Sequence, residues 1–168
     1  KALKEITIRH GGEYFPSQVG EVNVVRKMKE VKALIGGEGN GGIIYPELHY
    51  GRDALVGIAL FLSHLAKSGK TASLLRSSYP NYFMAKKKVD LDASVNIDKL
   101  FKEIEKKYRK YPVNTIDGVK VDFEDDWVHL RKSNTEPIIR IYTESNSETT
   151  ANNIANRIMN DLKELSKV

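Results

Sequence analysis

Two stretches of this chain combine residue types that could hold a hydroxyl-rich, negatively charged ligand. The first is Gly36-Gly37-Glu38-Gly39-Asn40-Gly41-Gly42, five glycines in seven positions. Such a backbone reaches positive φ easily and lets a ligand come close. Only Glu38 and Asn40 extend side chains from it. A carboxylate accepts hydrogen bonds and an amide both donates and accepts, which suits a pair of hydroxyl groups. The second stretch is Arg131-Lys132-Ser133-Asn134-Thr135-Glu136-Pro137. Its arginine offers a planar fork matched to phosphate. Ser133 and Thr135 add hydroxyl donors, Asn134 tolerates a left-handed backbone, and successive amides in such a turn can form a concave nest for an anion.

Each stretch has plainer readings. Gly37 to Gly42 also spells G-x-G-x-x-G, the dinucleotide fingerprint, which needs a helix opening at its third glycine and an acid about 20 positions on. Here Ile43-Ile44-Tyr45-Pro46 follows, and the residue before a proline avoids the α region. Glu47 and Asp53 come too early to be the ribose acid, so the dinucleotide reading is set aside. A flexible turn without a ligand remains open for the glycine stretch. An ordinary polar hairpin loop remains open for the arginine stretch. Lys86-Lys87-Lys88 reads as a solvated strand edge, and Glu124-Asp125-Asp126 as a hairpin turn in preference to a metal cluster. His64 reads as structural; His49 and Arg52 could touch a ligand but read first as packing for the glycine loop.

The chain has 168 residues, enough for one domain or one and a half. A hydrophobic content of 40% and a charged content of 29% fit a globular protein with a core. No stretch approaches the roughly 20 apolar residues of a membrane span. The absence of cysteine excludes disulfides and thiolate sites. The net charge of +5 suits phosphorylated ligands, nucleic acid or simple solubility. Lys1 stands where an initiating Met would, which suggests a fragment.

Periodicity places the two stretches. Ile6-Thr7-Ile8 predicts a short strand. Val22, Val25, Met28 and Val31 predict the buried stripe of a helix after Gly20. Lys32 to Ile35 predicts a strand delivering the glycine loop at its C-terminal end, where α/β sheets bind ligands. Ala54 to Ala66 is apolar on nearly every side and so predicts a buried helix, capped by Asp53 and stopped by Gly69. A short helix over Thr71 to Ser78 ends this part at Pro80. A boundary near Met84 separates an α/β part, residues 1–84, from a β-α-β-β-β-α part, residues 85–168. The second part has a strand at Phe83 to Leu91 and a helix striped by Ile97, Leu100, Phe101, Ile104 and Tyr108. A turn at Asp117-Gly118 and alternation at Val119, Val121 and Phe123 follow. Strands at Trp127 to Leu130 and Ile138 to Glu144 flank the arginine loop. The final helix carries Ile154, Ile158, Leu162 and Leu165, with Ser145-x-x-Glu148 as its capping box.

With both stretches in place, the chain resembles the α-D-phosphohexomutase family of phosphoglucomutases, phosphomannomutases and phosphoglucosamine mutases. Val19-Gly20-Glu21 before a helix, Gly37 to Gly42, the Gly51-Arg52-Asp53-Ala54 helix entry and Arg131 to Pro137 carry the resemblance in order, over nearly the whole chain. It implies the end of the family's third, α/β/α domain followed by its fourth, a TBP-like α+β domain with an antiparallel sheet and two helices. It implies that Glu38 and Asn40 bind sugar hydroxyls. It also implies that Arg131, Ser133, Asn134 and Thr135 hold the substrate phosphate that is not being transferred. Many relatives have Ser and Gly where this chain has Asn40 and Asn134.

The family's catalytic serine motif and its Mg²⁺-binding Asp-Gly-Asp-x-Asp-Arg loop are absent from residues 1–168; Thr71-Ala72-Ser73 and Asp90-Leu91-Asp92 do not substitute. The resemblance therefore implies a cytoplasmic parent that uses Mg²⁺ and a sugar bisphosphate and moves phosphate between the 1- and 6-positions of a hexose through phosphoserine. This chain would supply recognition alone, without mutase activity, in partnership with the parent's N-terminal domains and a hexose phosphate. Closing the fourth domain over the ligand would bury the phosphate and exclude water, with a hinge near Met84. The alternative, a basic α+β module binding nucleic acid through Lys86–Lys88 and the Arg131 loop, leaves the glycine stretch without a purpose. It also lacks the paired aromatics of an RRM sheet.

Overall fold

A computed structural model describes residues 1–92, 95–133 and 136–166. The chain divides into two compact units, Ala2–Pro80 and the segment from Asn81 onward.

The first unit holds four helices and a two-stranded ribbon, with the second helix packed on one strand and the third on the other. Helix α1 (Ala2–Arg9) occupies the predicted strand at Ile6-Thr7-Ile8. Local bonds override the β-branched run: Arg9 Nη2 pairs with Glu5 Oε1 at 2.8 Å, and Thr7 Oγ1 donates to the Leu3 carbonyl at 2.8 Å. Helix α2 (Glu21–Val31) buries Val24 and Met28, with Val25 packed beside them. Val22, expected in that stripe, is 72% exposed, because the buried face is centred on Val24, Val25 and Met28. The chain then turns through Lys32 in left-handed conformation. Ala33 to Ile35 is not a strand; pairing begins at β1 (Gly36–Gly37) and returns antiparallel as β2 (Ile43–Ile44). The glycine loop is thus the tip of a hairpin, not the end of a parallel strand.

Helix α3 (Ala54–Ser68) starts where expected. The Asp53 carboxylate accepts from the Leu55 and Val56 amides at 2.8 and 3.0 Å, and Gly69 ends the helix at φ 62°. Its predicted burial does not hold, since no residue of α3 is buried within the chain. The unit's core consists of Val24, Met28 and Ile44 and is too small to cover so apolar a helix. Helix α4 (Ala72–Ser77) is capped by Thr71, whose hydroxyl accepts from the Leu74 amide.

The second unit is an antiparallel sheet ordered β3-β7-β6-β5-β4, formed by β3 (Phe83–Asp90), β4 (Val113–Asn114), β5 (Val119–Asp122), β6 (Trp127–Lys132) and β7 (Ile138–Ser145). Helices α5 (Ile97–Lys107) and α6 (Glu148–Leu165) belong to the same unit. Val119, Val121, Val128, Leu130, Ile139 and Ile141 join Leu100, Ile104, Ile154, Ile158 and Leu162 in one buried cluster. Buried Asp161 ties α6 to α5, accepting from Tyr108 Oη at 2.5 Å and from Lys107 Nζ at 2.7 Å. Burial and that carboxylate push the Tyr108 hydroxyl pKa up. The order adds one short strand, β4, to the predicted series. The expected cap pair Ser145/Glu148 is displaced: Ser147 is the N-cap, its hydroxyl 3.4 Å from the Thr150 amide, while buried Ser145 Oγ accepts from the Ser147 amide at 3.2 Å.

Candidate functional site

Each unit carries one of the two stretches. In the hairpin, Gly37 pairs with Ile43 so closely that a Cβ on Gly37 would overlap the Gly42 carbonyl oxygen. The tip closes with Gly41 N–H donating to Glu38 O and Glu38 N–H to Gly42 O, both at 3.1 Å. Asn40 Oδ1 accepts from the Gly42 amide at 2.9 Å. Its Nδ2 then faces Glu38 Oε2 at 3.5 Å, the outer limit of a hydrogen bond. The other carboxylate oxygen, Oε1, accepts the Gly20 amide at 3.0 Å at the start of α2. Glu38 Oε2 and Asn40 Nδ2 are therefore an acceptor and a donor side by side, with capacity left for a ligand.

Beside the tip lies an open depression of about 640 Å³, lined by Glu21, Asn40, Gly42, Arg52 and Asp53 among others. Glu38 does not line it, because its carboxylate turns toward Gly20. Arg52 Nε pairs with Glu21 Oε2 at 2.8 Å, and the Arg52 side chain lies where a Cβ on Gly42 would be. His49 braces the helix entry. Its Nδ1 accepts from the Gly51 amide at 3.0 Å, so the proton sits on Nε2, 3.2 Å from Asp53 Oδ2. The Val56 amide, with His49 and the Leu55 amide, holds the Asp53 carboxyl below its ordinary pKa. His64 Nε2 meets Tyr79 Oη at 2.9 Å, a link between α3 and the end of α4.

In the second unit Arg131 lies near the end of β6, and its register partner on β7 is Arg140. Arg140 in turn opposes Lys88 on β3, so three cations stand in a row across the strands. Lys88 is 3.4 Å from Asp90 Oδ1, whereas no ion pair joins Arg140 to an acid among the described residues. Arg131 Nε lies 3.1 Å from Asp117 Oδ2. The approach is off the N–H axis, so the contact is an ion pair and the buried Nε–H lacks an aligned acceptor. Ser133 is buried, and its amide closes the β6–β7 ladder on Ile138 O at 3.1 Å. Asn134 and Thr135 lie outside the described residues. Arg140 escaped the sequence reading because only the strand register sets it beside Arg131.

Trp127, His129 and Tyr142 share the face of Arg131, one or two register steps away. Trp127 is committed, donating Nε1–H to Glu144 Oε1 at 2.8 Å, with the Lys120 ammonium 5.4 Å from its ring centre. His129 Nε2 contacts the Asp117 carbonyl oxygen. Burial lowers the His129 pKa against the opposing pull of that carbonyl and of the Asp117 carboxylate, and Arg131 and Lys120 lower it further. Among the described residues no group of three or more His, Cys, Asp or Glu side chains could hold a metal ion, and Glu124-Asp125 forms the bend between β5 and β6.

An α/β unit followed by an α+β unit is the order of the third and C-terminal domains of the phosphohexomutases. The family described as phosphoglucomutase/phosphomannomutase, alpha/beta/alpha domain III, matches residues 1–82, and its C-terminal domain matches residues 86–161. The chain belongs to the phosphoglucomutase/phosphomannomutase family.

It is 40% identical over 144 residues to a phosphoglucosamine/phosphogalactosamine mutase of Sulfurisphaera tokodaii, covering 84% of this chain and 32% of that protein. It is 40% identical over 151 residues to a phosphoglucomutase/phosphomannomutase of Thermococcus kodakarensis, covering 89% and 33%. A solved family protein from Burkholderia thailandensis superimposes with a TM-score of 0.77 at 29% identity, covering 97% of this chain and 35% of that one. The chain thus spans about a third of the length of the curated relatives it matches.

Proposed function

We propose that this chain is the substrate-recognition portion of an enzyme that moves a phosphoryl group between the 1- and 6-positions of a hexose. Glu38 and Asn40 take sugar hydroxyls, while Arg131, Ser133, Asn134 and Thr135, joined by Arg140, hold the phosphate that stays on the sugar. The observation that carries this reading is the Arg131–Arg140 pair on adjacent strands. Like charges directly opposite are unfavourable unless an anion sits between them, and a guanidinium fork fits a phosphate dianion. On the hairpin, the Glu38 Oε2 acceptor beside the Asn40 Nδ2 donor complements hydroxyls, each of which both donates and accepts.

In the mechanism that the resemblance implies, a phosphoserine passes its phosphoryl group to the free sugar hydroxyl and the serine takes back the other phosphoryl after the bisphosphate has turned round. That serine and the Mg²⁺ ligands belong to motifs that residues 1–168 do not contain, so this chain binds, orients and shields. The cytoplasmic setting and the partnership with further domains belong to the same proposal. So do the two domains, 1–84 and 85–168, as sugar-gripping and phosphate-gripping elements.

An NMR titration of the chain with glucose 1-phosphate and glucose 6-phosphate tests the reading. Saturable shifts at Ser133 and at the Arg131 and Arg140 Nε–H groups, lost in Arg131→Ala, are expected, with shifts at Glu38 and Asn40 for the sugar. A folded sample with a silent Arg131 loop, or one that answers RNA and not sugar phosphates, would sink it. Mutase turnover by the chain alone would defeat the claim that it only recognises.

A further inference from the structure

The geometry points to Asp117 as the positioning residue that aims the Arg131 fork, an inference that rests on the phosphate reading above. Asp117 sits in the turn between β4 and β5, fourteen positions before Arg131 in sequence. The turn is pressed against β6: Gly118 has φ 78°, and a Cβ there would overlap the Leu130 carbonyl oxygen. Two contacts then fasten Asp117 to one face of β6. Its carbonyl oxygen meets His129 Nε2, and its carboxylate Oδ2 lies 3.1 Å from Arg131 Nε. His129, Arg131 and Ser133 are alternate residues, so the turn and the anion-binding face share one side of the sheet.

Arg131 Nε is fully buried, while the side chain as a whole is 27% exposed. Asp117 therefore occupies the inner edge of the guanidinium and leaves the Nη groups free to make a bidentate pair with phosphate. Restricting the fork in advance removes ordering cost from the binding step.

A carboxylate this close to an anion site is repulsive if it does nothing else, so the sign of its removal is diagnostic. If Asp117 aims Arg131, Asp117→Asn weakens phosphate binding by about tenfold, the loss of one charge-assisted contact. If Asp117 is only a nearby negative charge, the same change strengthens binding.

The test measures inorganic phosphate and glucose 1-phosphate affinity of the 168-residue chain and of Asp117→Asn, each with Arg131 or with Arg131→Lys. The inference expects weakening with Arg131 and none with Lys, which has no fork to aim. Unchanged or tighter binding with Arg131 present overturns it, and so does equal weakening in both backgrounds, the mark of a general structural role. If Asp117→Asn does not fold, Asp117→Glu decides, because it keeps the charge and displaces it: weaker binding supports the inference and unchanged binding overturns it. A wild-type chain that binds no phosphate overturns the phosphate reading and this inference together. Binding that depends on Arg131 but not on residue 117 overturns the inference alone.

Discussion

Arg131 and Arg140 stand directly opposite each other on β6 and β7, with Lys88 continuing the row on β3. Adjacent like charges cost the sheet a few tenths of a kcal/mol, and on the phosphate-binding proposal a bound phosphate would turn that cost into affinity. Arg140→Leu is therefore expected to act in opposite directions on two measurements. Phosphate affinity falls roughly tenfold or more, since a hydrogen bond to a charged group contributes about 1.5–3 kcal/mol. Urea stability without phosphate stays level or rises slightly. A variant that lost stability and kept its affinity would remove Arg140 from the site.

Gly118 is the backbone requirement of the turn that presents Asp117. Its φ of 78° and the nearness of the Leu130 carbonyl leave no room for a side chain. Gly118→Ala is expected to destabilise the second unit by about 1–3 kcal/mol, the scale of a residue forced into a sparsely populated conformation. Denaturant unfolding monitored by Trp127 fluorescence measures it; a midpoint within error of wild type would show that the turn relaxes freely.

Helix α3 carries Leu55, Ile58, Phe61 and Leu62 at 77, 53, 48 and 54% exposure. Contiguous apolar surface of this kind binds hydrophobic probes and promotes association. The 168-residue chain is expected to bind the dye ANS at neutral pH while folded, and Phe61→Lys with Leu62→Lys to reduce that signal several-fold. Fluorescence with and without the substitutions decides, and equal dye binding by both would show that α3 is covered.

These elements show what was legible in the sequence. The ends of α3 were, because capping is local chemistry: Asp53 bonds amides two and three residues on, and Gly69 supplies the left-handed stop. The alternation of Val119 and Val121 was legible because one face of β5 is buried. The expected burial of α3 failed because apolarity on every side of a helix does not report what lies against it. Ile6-Thr7-Ile8 was misread because β-branched content cannot register the Glu5–Arg9 pair one turn apart. Glu38 and Asn40 were found as types, but the commitment of one Glu38 oxygen to Gly20 spans eighteen positions and needs the fold. Arg140 was invisible for the same reason, and Asp117 was legible only as a turn residue: each meets Arg131 only through strand register or turn placement.

His129 gives the second unit a pH dependence whose sign follows from its surroundings. Burial first, then Arg131 and Lys120, lower its pKa below the ordinary histidine value, outweighing the Asp117 carbonyl and carboxylate, which raise it. The unfolded chain therefore binds a proton that the native state resists. In that interval the unfolded state holds more protons, so stability rises with pH. The contribution of neutral His129 is fully present above about pH 6.5, the unfolded value, and is lost as pH falls from there toward the lowered native pKa. Protonation would also place a third positive charge beside Lys120 and Arg131. His129→Gln keeps an N–H donor for the Asp117 carbonyl and cannot take up a proton. Urea midpoints between about pH 7 and 5 should fall in the wild-type chain and fall less in His129→Gln. Parallel curves for the two proteins would assign the acid sensitivity to other groups.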